Sequence, residues 1–325
     1  MAYRLRPDKP FTAEVRSAAK DQLRKAIGYI EDQPDGPHEA IHDARKRFKR
    51  VRALYRLIEP AAPEFRRREN SRIRDIAQSL SAVRDATALV ETVDYLGDFA
   101  VSPEEKQALG AARAILATRR DRIAAEEHDL PARMAAAAAD CREAMAALDT
   151  LDLPDAPRKT AGKLGKSWRK QLRKADAALD ACADHGSAET YHDLRKCGQT
   201  YWMHLSLMRA IWPSAMLAKQ AECKTLVDLL GHEHDLSVLT AVIDEQPDLF
   251  GDSETLARLL AAIINRQQIV RHAATDLAHE IFADRPEVES DLIALLWERA
   301  AKASGRTDSK SAGKVPQESA LHGVR

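Results

Sequence analysis

An all-α fold is what this chain of 325 residues predicts, and three observations carry it. Ala, Leu, Arg, Glu and Lys dominate the composition, all of them good helix formers. Gly (13) and Pro (14) are scarce and fall in clusters that cut the chain into pieces of helical length. Short motifs recur at a nearly constant offset, the mark of an internal repeat.

The breakers set the elements in order. Pro34-Asp35-Gly36-Pro37 ends a first helix, near 11–33, and starts a second, near 37–59. Pro60 and Pro63 separate this from a third, near 63–97. The break from Gly97 to Pro103 opens a fourth, near 103–149, which Leu153 to Pro157 closes off from a fifth, near 160–184. Ser187 opens a helix near 188–211 that stops at Pro213. Helices near 214–245, 254–282 and 287–302 lie between Pro213, the Pro247–Ser253 stretch and Pro286. The remainder, 303–325, is rich in Ser, Gly and Lys and reads as a disordered tail.

Several function classes are disfavoured at once. No apolar run approaches the ~18 residues of a membrane span. Met1 to Lys20 contains no signal-peptide core, so a cytoplasmic location is expected. Cys141, Cys182, Cys197 and Cys223 form no Cys-x-x-Cys pair, which argues against a disulfide framework or a thiolate zinc site. There is no Gly-x-Ser-x-Gly, no phosphate-binding Gly-rich loop and no Rossmann fingerprint, so no enzyme activity and no cofactor are expected.

The repeat is specific. His42-Asp43-Ala44-Arg45-Lys46 matches His192-Asp193-Leu194-Arg195-Lys196, and Arg84-Asp85 with Leu89 matches His234-Asp235 with Leu239, both at an offset of 150. Gln22-Leu23-Arg24-Lys25-Ala26 returns as Gln171-Leu172-Arg173-Lys174-Ala175 at an offset of 149. Two homologous halves follow, about 5–152 and 158–300, within one folded unit of about 5–300. The simplest packing is two four-helix bundles related by a pseudo-two-fold axis.

The charge is balanced, 50 Lys+Arg against 50 Asp+Glu, but unevenly placed. Arg158 to Lys174 carries eight basic residues and no acidic one, and His38 to Arg74 carries twelve basic and five acidic. On a helical projection of 37–59, Ile41, Ala44, Phe48, Val51, Tyr55 and Ile58 form an apolar stripe. His38, His42, Arg45, Lys49, Arg52 and Arg56 form a second stripe, roughly 130° away, with Lys46 at its edge. Aligned cations repel, so this face costs folding energy unless an anion or solvent neutralises it. The copy in the second half keeps His192, Arg195 and Lys196 but has Gln199 and Trp202 at the places of Lys49 and Arg52. Lys166, Arg169, Lys170 and Arg173 compensate on the preceding helix, as Arg16, Lys20 and Arg24 do less densely in the first half. Arginine forks, lysine point charges and titratable histidines suit a ligand made of phosphates. Aromatics are only 5% and are not interleaved with the basic stripe, which disfavours single-stranded nucleic acid.

These residues resemble the conserved histidine α-helical domain, the CHAD family, over about 5–300. Its hallmark is a helix opening with histidine and carrying basic residues at plus three, four, seven and ten. His42, Arg45, Lys46, Lys49 and Arg52 match it fully; His192, Arg195 and Lys196 match it in part. Arg84-Asp85 and the segment from Gly231 to Leu239 also look like family positions. The resemblance implies a basic central groove between two helical bundles, binding of inorganic polyphosphate, and association with polyphosphate granules. The expected contacts are then His42, Arg45, Lys46, Lys49, Arg52, Arg56, His192, Arg195 and Lys196, extended by Lys166, Arg169, Lys170 and Arg173. Arg16, Lys20, Arg24, His38, Arg84 and His234 are additional candidates.

Two other readings compete. A helical adaptor would use the same basic faces for nucleic acid, without sequence specificity, or for an acidic protein. A zinc hydrolase would use His38-Glu39-Ala40-Ile41-His42, which fits His-Glu-x-x-His. Arg45 and Lys49 on the same face would repel a dication, and Ala188 stands at the corresponding place of His38 in the second half. His232 and His234, two apart on one helix, point about 200° away from each other and cannot chelate together. Asp85 and Asp235 are expected to pair with basic residues of the hallmark helices.

Overall fold

The computed structural model describes residues 3–80, 82–126 and 128–311, leaving aside the side chains of 82–84 and 304–311. Among the described residues the fold is all-helical, with eleven α-helices and no strand. They are α1 (Phe11–Asp32), α2 (Pro37–Leu57), α3 (Pro63–Ser79), α4 (Ala82–Gly97), α5 (Pro103–Glu126), α6 (Leu130–Ala147), α7 (Pro157–His185), α8 (Ala188–Leu207), α9 (Pro213–Glu245), α10 (Ser253–Ile281) and α11 (Pro286–Ser311). Prolines sit in the first turn of α2, α3, α6, α7 and α9, where a missing N–H costs nothing. No helix among the described residues is long and apolar enough to cross a membrane.

Two expected helices are each two. The helix expected near 63–97 breaks after Ser79, whose hydroxyl donates to the carbonyl of Ile76. The carbonyls left at the end of α3 accept from two guanidiniums, Ala77 from Arg45 and Ser79 from Arg133. The helix expected near 103–149 breaks before Pro131, which opens α6. By contrast α9 runs unbroken over Pro213–Glu245. The helix expected to end near 302 continues to Ser311, and the tail's remaining residues, 312–325, lie outside the described residues.

The apolar core is not divided half by half. α1, α2, α3 and α6 pack in a closed ring, and α7 packs with α8 and α11. Their buried side chains join those of the first part of α9 and the last turns of α10 in one large cluster. A second cluster is built from α4, α5, the far end of α9 and the start of α10, with Leu89, Val93 and Leu109 against Leu236, Leu239 and Ile263. The α4–α5 hairpin thus leaves its own half to pack on the α9–α10 hairpin of the other.

The joint that matters for the site is α2 against α8. His204, 1% exposed, lies in it with Nε2 2.9 Å from the carbonyl oxygen of Ala53. The amide of Leu5 donates to Leu207, and the Tyr3 hydroxyl to the carbonyl of Arg50, so the N-terminal segment straps the same two helices. The four cysteines form no disulfide; Cys141, Cys182 and Cys223 are buried, and burial pushes the Cys197 thiol up to about 11.

Candidate functional site

α2 forms because Gly36, with φ 87°, turns the chain into Pro37, and because one face can be buried. Ile41, Ala44, Phe48, Val51, Tyr55 and Ile58 are all buried, as the apolar stripe requires. Burying that stripe leaves the cationic one facing α3 and α8.

Along this face the cations meet different surroundings. Arg45 is half-buried and donates to the Ala77 carbonyl, so it caps α3. Lys46 is exposed and paired with Asp43 at 3.0 Å. Arg52 donates to Asn70 of α3; burial and then the charges of Arg56, Arg74 and Arg66 bring its guanidinium down to about 10. Arg56 reaches across the joint to donate to the Thr200 hydroxyl of α8 at 2.8 Å. Burial and then the charge of Arg66 lower it too.

α8 presents its copy beside α9. The His192 ring stacks on His234 with centroids 4.5 Å apart, and its Nδ1 is buried with no hydrogen-bond partner among the described residues. Burial, then the charges of Arg195, His192, Lys49 and Lys196, push the His234 imidazole down to about 4. Lys49 of α2 and Lys196 of α8 therefore act on one imidazole. Arg195 is lowered by burial, opposed by Asp235 and the buried Glu233. His232 turns away from His234 and stacks on Tyr95 at 3.9 Å. Asp85 is exposed on α4, and the side chain of Arg84 lies outside the described residues.

Two adjoining clefts open beside the joint. One, of about 590 Å3, is lined by Arg56, Arg66, Gln171, Lys174, Lys196 and Thr200, with Glu189 and Asp193 of α8 at its edge, where Asp193 pairs with Lys196 at 2.8 Å. The larger, of about 1030 Å3, runs along α7 past Lys166, Arg169, Lys170, Arg173 and Lys174. Lys174 and Ala177 line both. In the smaller cleft neither Arg56 nor Arg66 has an ion pair among the described residues, and the Arg66 Nε is buried with no partner. The α7 row is different: Lys170 pairs with Glu59 at 3.0 Å, Arg169 with Asp291 at 2.8 Å and Arg173 with Glu287 at 2.6 Å.

The α1 candidates do not join this surface. Arg16 donates to the carbonyl of Leu151 and Lys20 pairs with Asp149, so both hold α1 to the turn that precedes the linker. Arg24 is exposed on α1. His38 is half-buried with Nδ1 unpartnered. Among the described residues, ligand atoms of Glu39, His42 and Asp43 lie close enough together to hold a metal, a group that does not include His38. Asp43 there is already bonded to Lys46, and all three come from one turn of helix.

A family model decides the kinship. The CHAD domain matches residues 17–244, more than half of the chain. The chain belongs to the CHAD family. No curated protein matches it. The CHAD match takes in both hallmark helices, α7 and the His234 segment, and ends before α10 and α11. The sequence reading passed over Arg66, and gave Lys174 only as part of a basic cluster. Arg66 sits in Arg66-Arg67-Arg68, and only the packing of α3 shows which of the three turns into the cleft.

Proposed function

We propose that this CHAD-family chain binds inorganic polyphosphate without turning it over, in a basic groove where the α2 and α8 hallmark helices meet. One observation carries the reading. Arg56 and Arg66 line a single cleft with no carboxylate partner among the described residues, beside Lys174 and Lys196. Two guanidiniums held in one cleft repel, and a multivalent anion relieves that cost while accepting charge-assisted hydrogen bonds. A phosphate chain offers oxygens at every unit, so one ligand can engage this cleft, the His192–His234 spot and Lys49 together.

The same reading takes the chain as a tandem duplication. Helices begin in register, α2 and α8 at 37 and 188, α3 and α9 at 63 and 213, α5 and α10 at 103 and 253. Two helical bundles related in this way would set their histidine-led helices face to face across the groove. A cytoplasmic protein associated with polyphosphate granules is the setting that fits this ligand.

Titration of the protein with labelled long-chain polyphosphate, at near-physiological salt with duplex DNA as competitor, tests the proposal. Tight binding that DNA does not displace is the expected result. No binding, or ready displacement by DNA, would favour the adaptor reading.

A further inference from the structure

α11 lies outside the residues that the CHAD family model matches, yet it packs along α7 and faces its basic row. Its placement is rigid. Glu289, 9% exposed, accepts from Trp168 Nε1 at 2.7 Å and from the Tyr201 hydroxyl at 2.6 Å, and pairs with Lys219 at 2.6 Å. Close approach is allowed by Gly165, where a Cβ would stand 3.1 Å from the Ser290 carbonyl oxygen and 3.2 Å from the Ala294 Cβ. Anchored so, α11 presents Glu287 and Asp291, one turn apart, to Arg173 and Arg169, also one turn apart. Arg169 is held further by donating to the Ser290 hydroxyl.

We propose that Glu287 and Asp291 of α11 are built-in competitors for the ligand, occupying the α7 arginines so that only an anion dense enough in charge to displace two carboxylates gains the larger cleft. The inference rests on the polyphosphate reading for the ligand's identity, and on the two arginine–carboxylate pairs for the competition. The cleft is open beside these pairs, with Gly162 and Ala177 leaving room for a chain. Both acids are solvent-accessible, Glu287 at 45% and Asp291 at 74%, so they can release their arginines without unfolding α11. Arg56 and Arg66 carry no such ion pair among the described residues, so the smaller cleft is where a chain first docks. The α7 row then adds affinity in proportion to the charge the ligand brings.

The test uses the full chain carrying E287Q and D291N, with D291N alone as a second variant, and thermal melting to confirm that each is folded. Exposed ion pairs are weak, so the double variant should bind long-chain polyphosphate about three- to tenfold more tightly than the parent. Its affinity should also fall more steeply with salt, by about 0.7 in the log–log slope for each arginine released to the ligand. On a heparin column it should elute at higher salt. Unchanged or weaker affinity with an unchanged slope and elution would overturn the proposal. If neither parent nor variant bound polyphosphate, the ligand assignment would fall; later elution of the variant from heparin would still uphold the competition, and identical elution would overturn that as well.

Discussion

His204 shows how a single residue ties the fold to pH. It is buried in the α2–α8 joint, and burial brings its imidazole down to about 4 from an ordinary 6.5, while its bond to the Ala53 carbonyl acts the other way. A histidine lowered in the folded state binds fewer protons there than in the unfolded chain. Stability therefore rises with pH through this window and is lost as pH falls from about 6.5 towards 4. For a wholly buried group the loss is on the order of 2 kcal/mol by pH 5. Denaturant titrations at pH 7 and pH 5 should show that loss, and His204→Gln should flatten the difference; an undiminished difference in the variant would remove His204 from the account. His192 and His234 are lowered as well, by burial and then by surrounding cations. At this scale much was legible. Histidine followed by cations at helical spacing marked both hallmark helices, and Asp235 was read as a counter-charge. Arg66 was not legible, because three adjacent arginines offer no clue to which one the packing of α3 turns inward.

The helices divide the basic residues by what else they hold. α2 gives cations to capping α3 and to a bond with α8, α8 gives fewer, and α7 has its row matched by Glu59, just past the end of α2, and by carboxylates of α11. Lys49 and Lys196 are the exposed cations that converge on His234. Replacing both with Ala should weaken polyphosphate binding and reduce the slope of log affinity against log salt by about 0.7 per lysine. Gln199→Ala, on α8, should change the slope little. Equal effects would mean that the hallmark helices do not carry the ligand. Helix existence was plain from the breakers, and most boundaries fell within a few residues. The two breaks that were missed have physical reasons. Pro131 was present in the sequence, but the break after Ser79 depends on Arg45 and Arg133 arriving from other helices to satisfy its carbonyls.

For the whole molecule, the packing of the α4–α5 hairpin on α9–α10 is the feature that sequence reading did not reach. Hydrophobic periodicity says that Leu89, Val93 and Leu109 are buried, and it does not say against which partner. Their partners are Leu236, Leu239 and Ile263, more than a hundred residues away, so neither half completes its own core. Residues 1–152 expressed alone should lack a cooperative thermal transition and should bind an apolar dye, since their α4–α5 apolar face would be uncovered. A cooperative, monomeric fragment would contradict the shared core. Closing α4–α5 on α9–α10 also fixes the far end of α9, and with it the position of His234 opposite His192.

The central claim is that a phosphate chain lies where α2, α3, α7 and α8 converge. Its most direct test is the affinity of long-chain polyphosphate for a variant carrying Arg66→Gln and Lys174→Gln, set against one carrying Arg16→Gln and Lys20→Gln. Each pair removes two cations from the chain, but only the first faces the smaller cleft. Hydrogen bonds to charged groups are worth about 1.5–3 kcal/mol each, so the first variant should lose about tenfold or more in affinity while the second stays within about twofold of the parent. Equal losses would show that the chain responds to net charge alone and would contradict a groove at this joint.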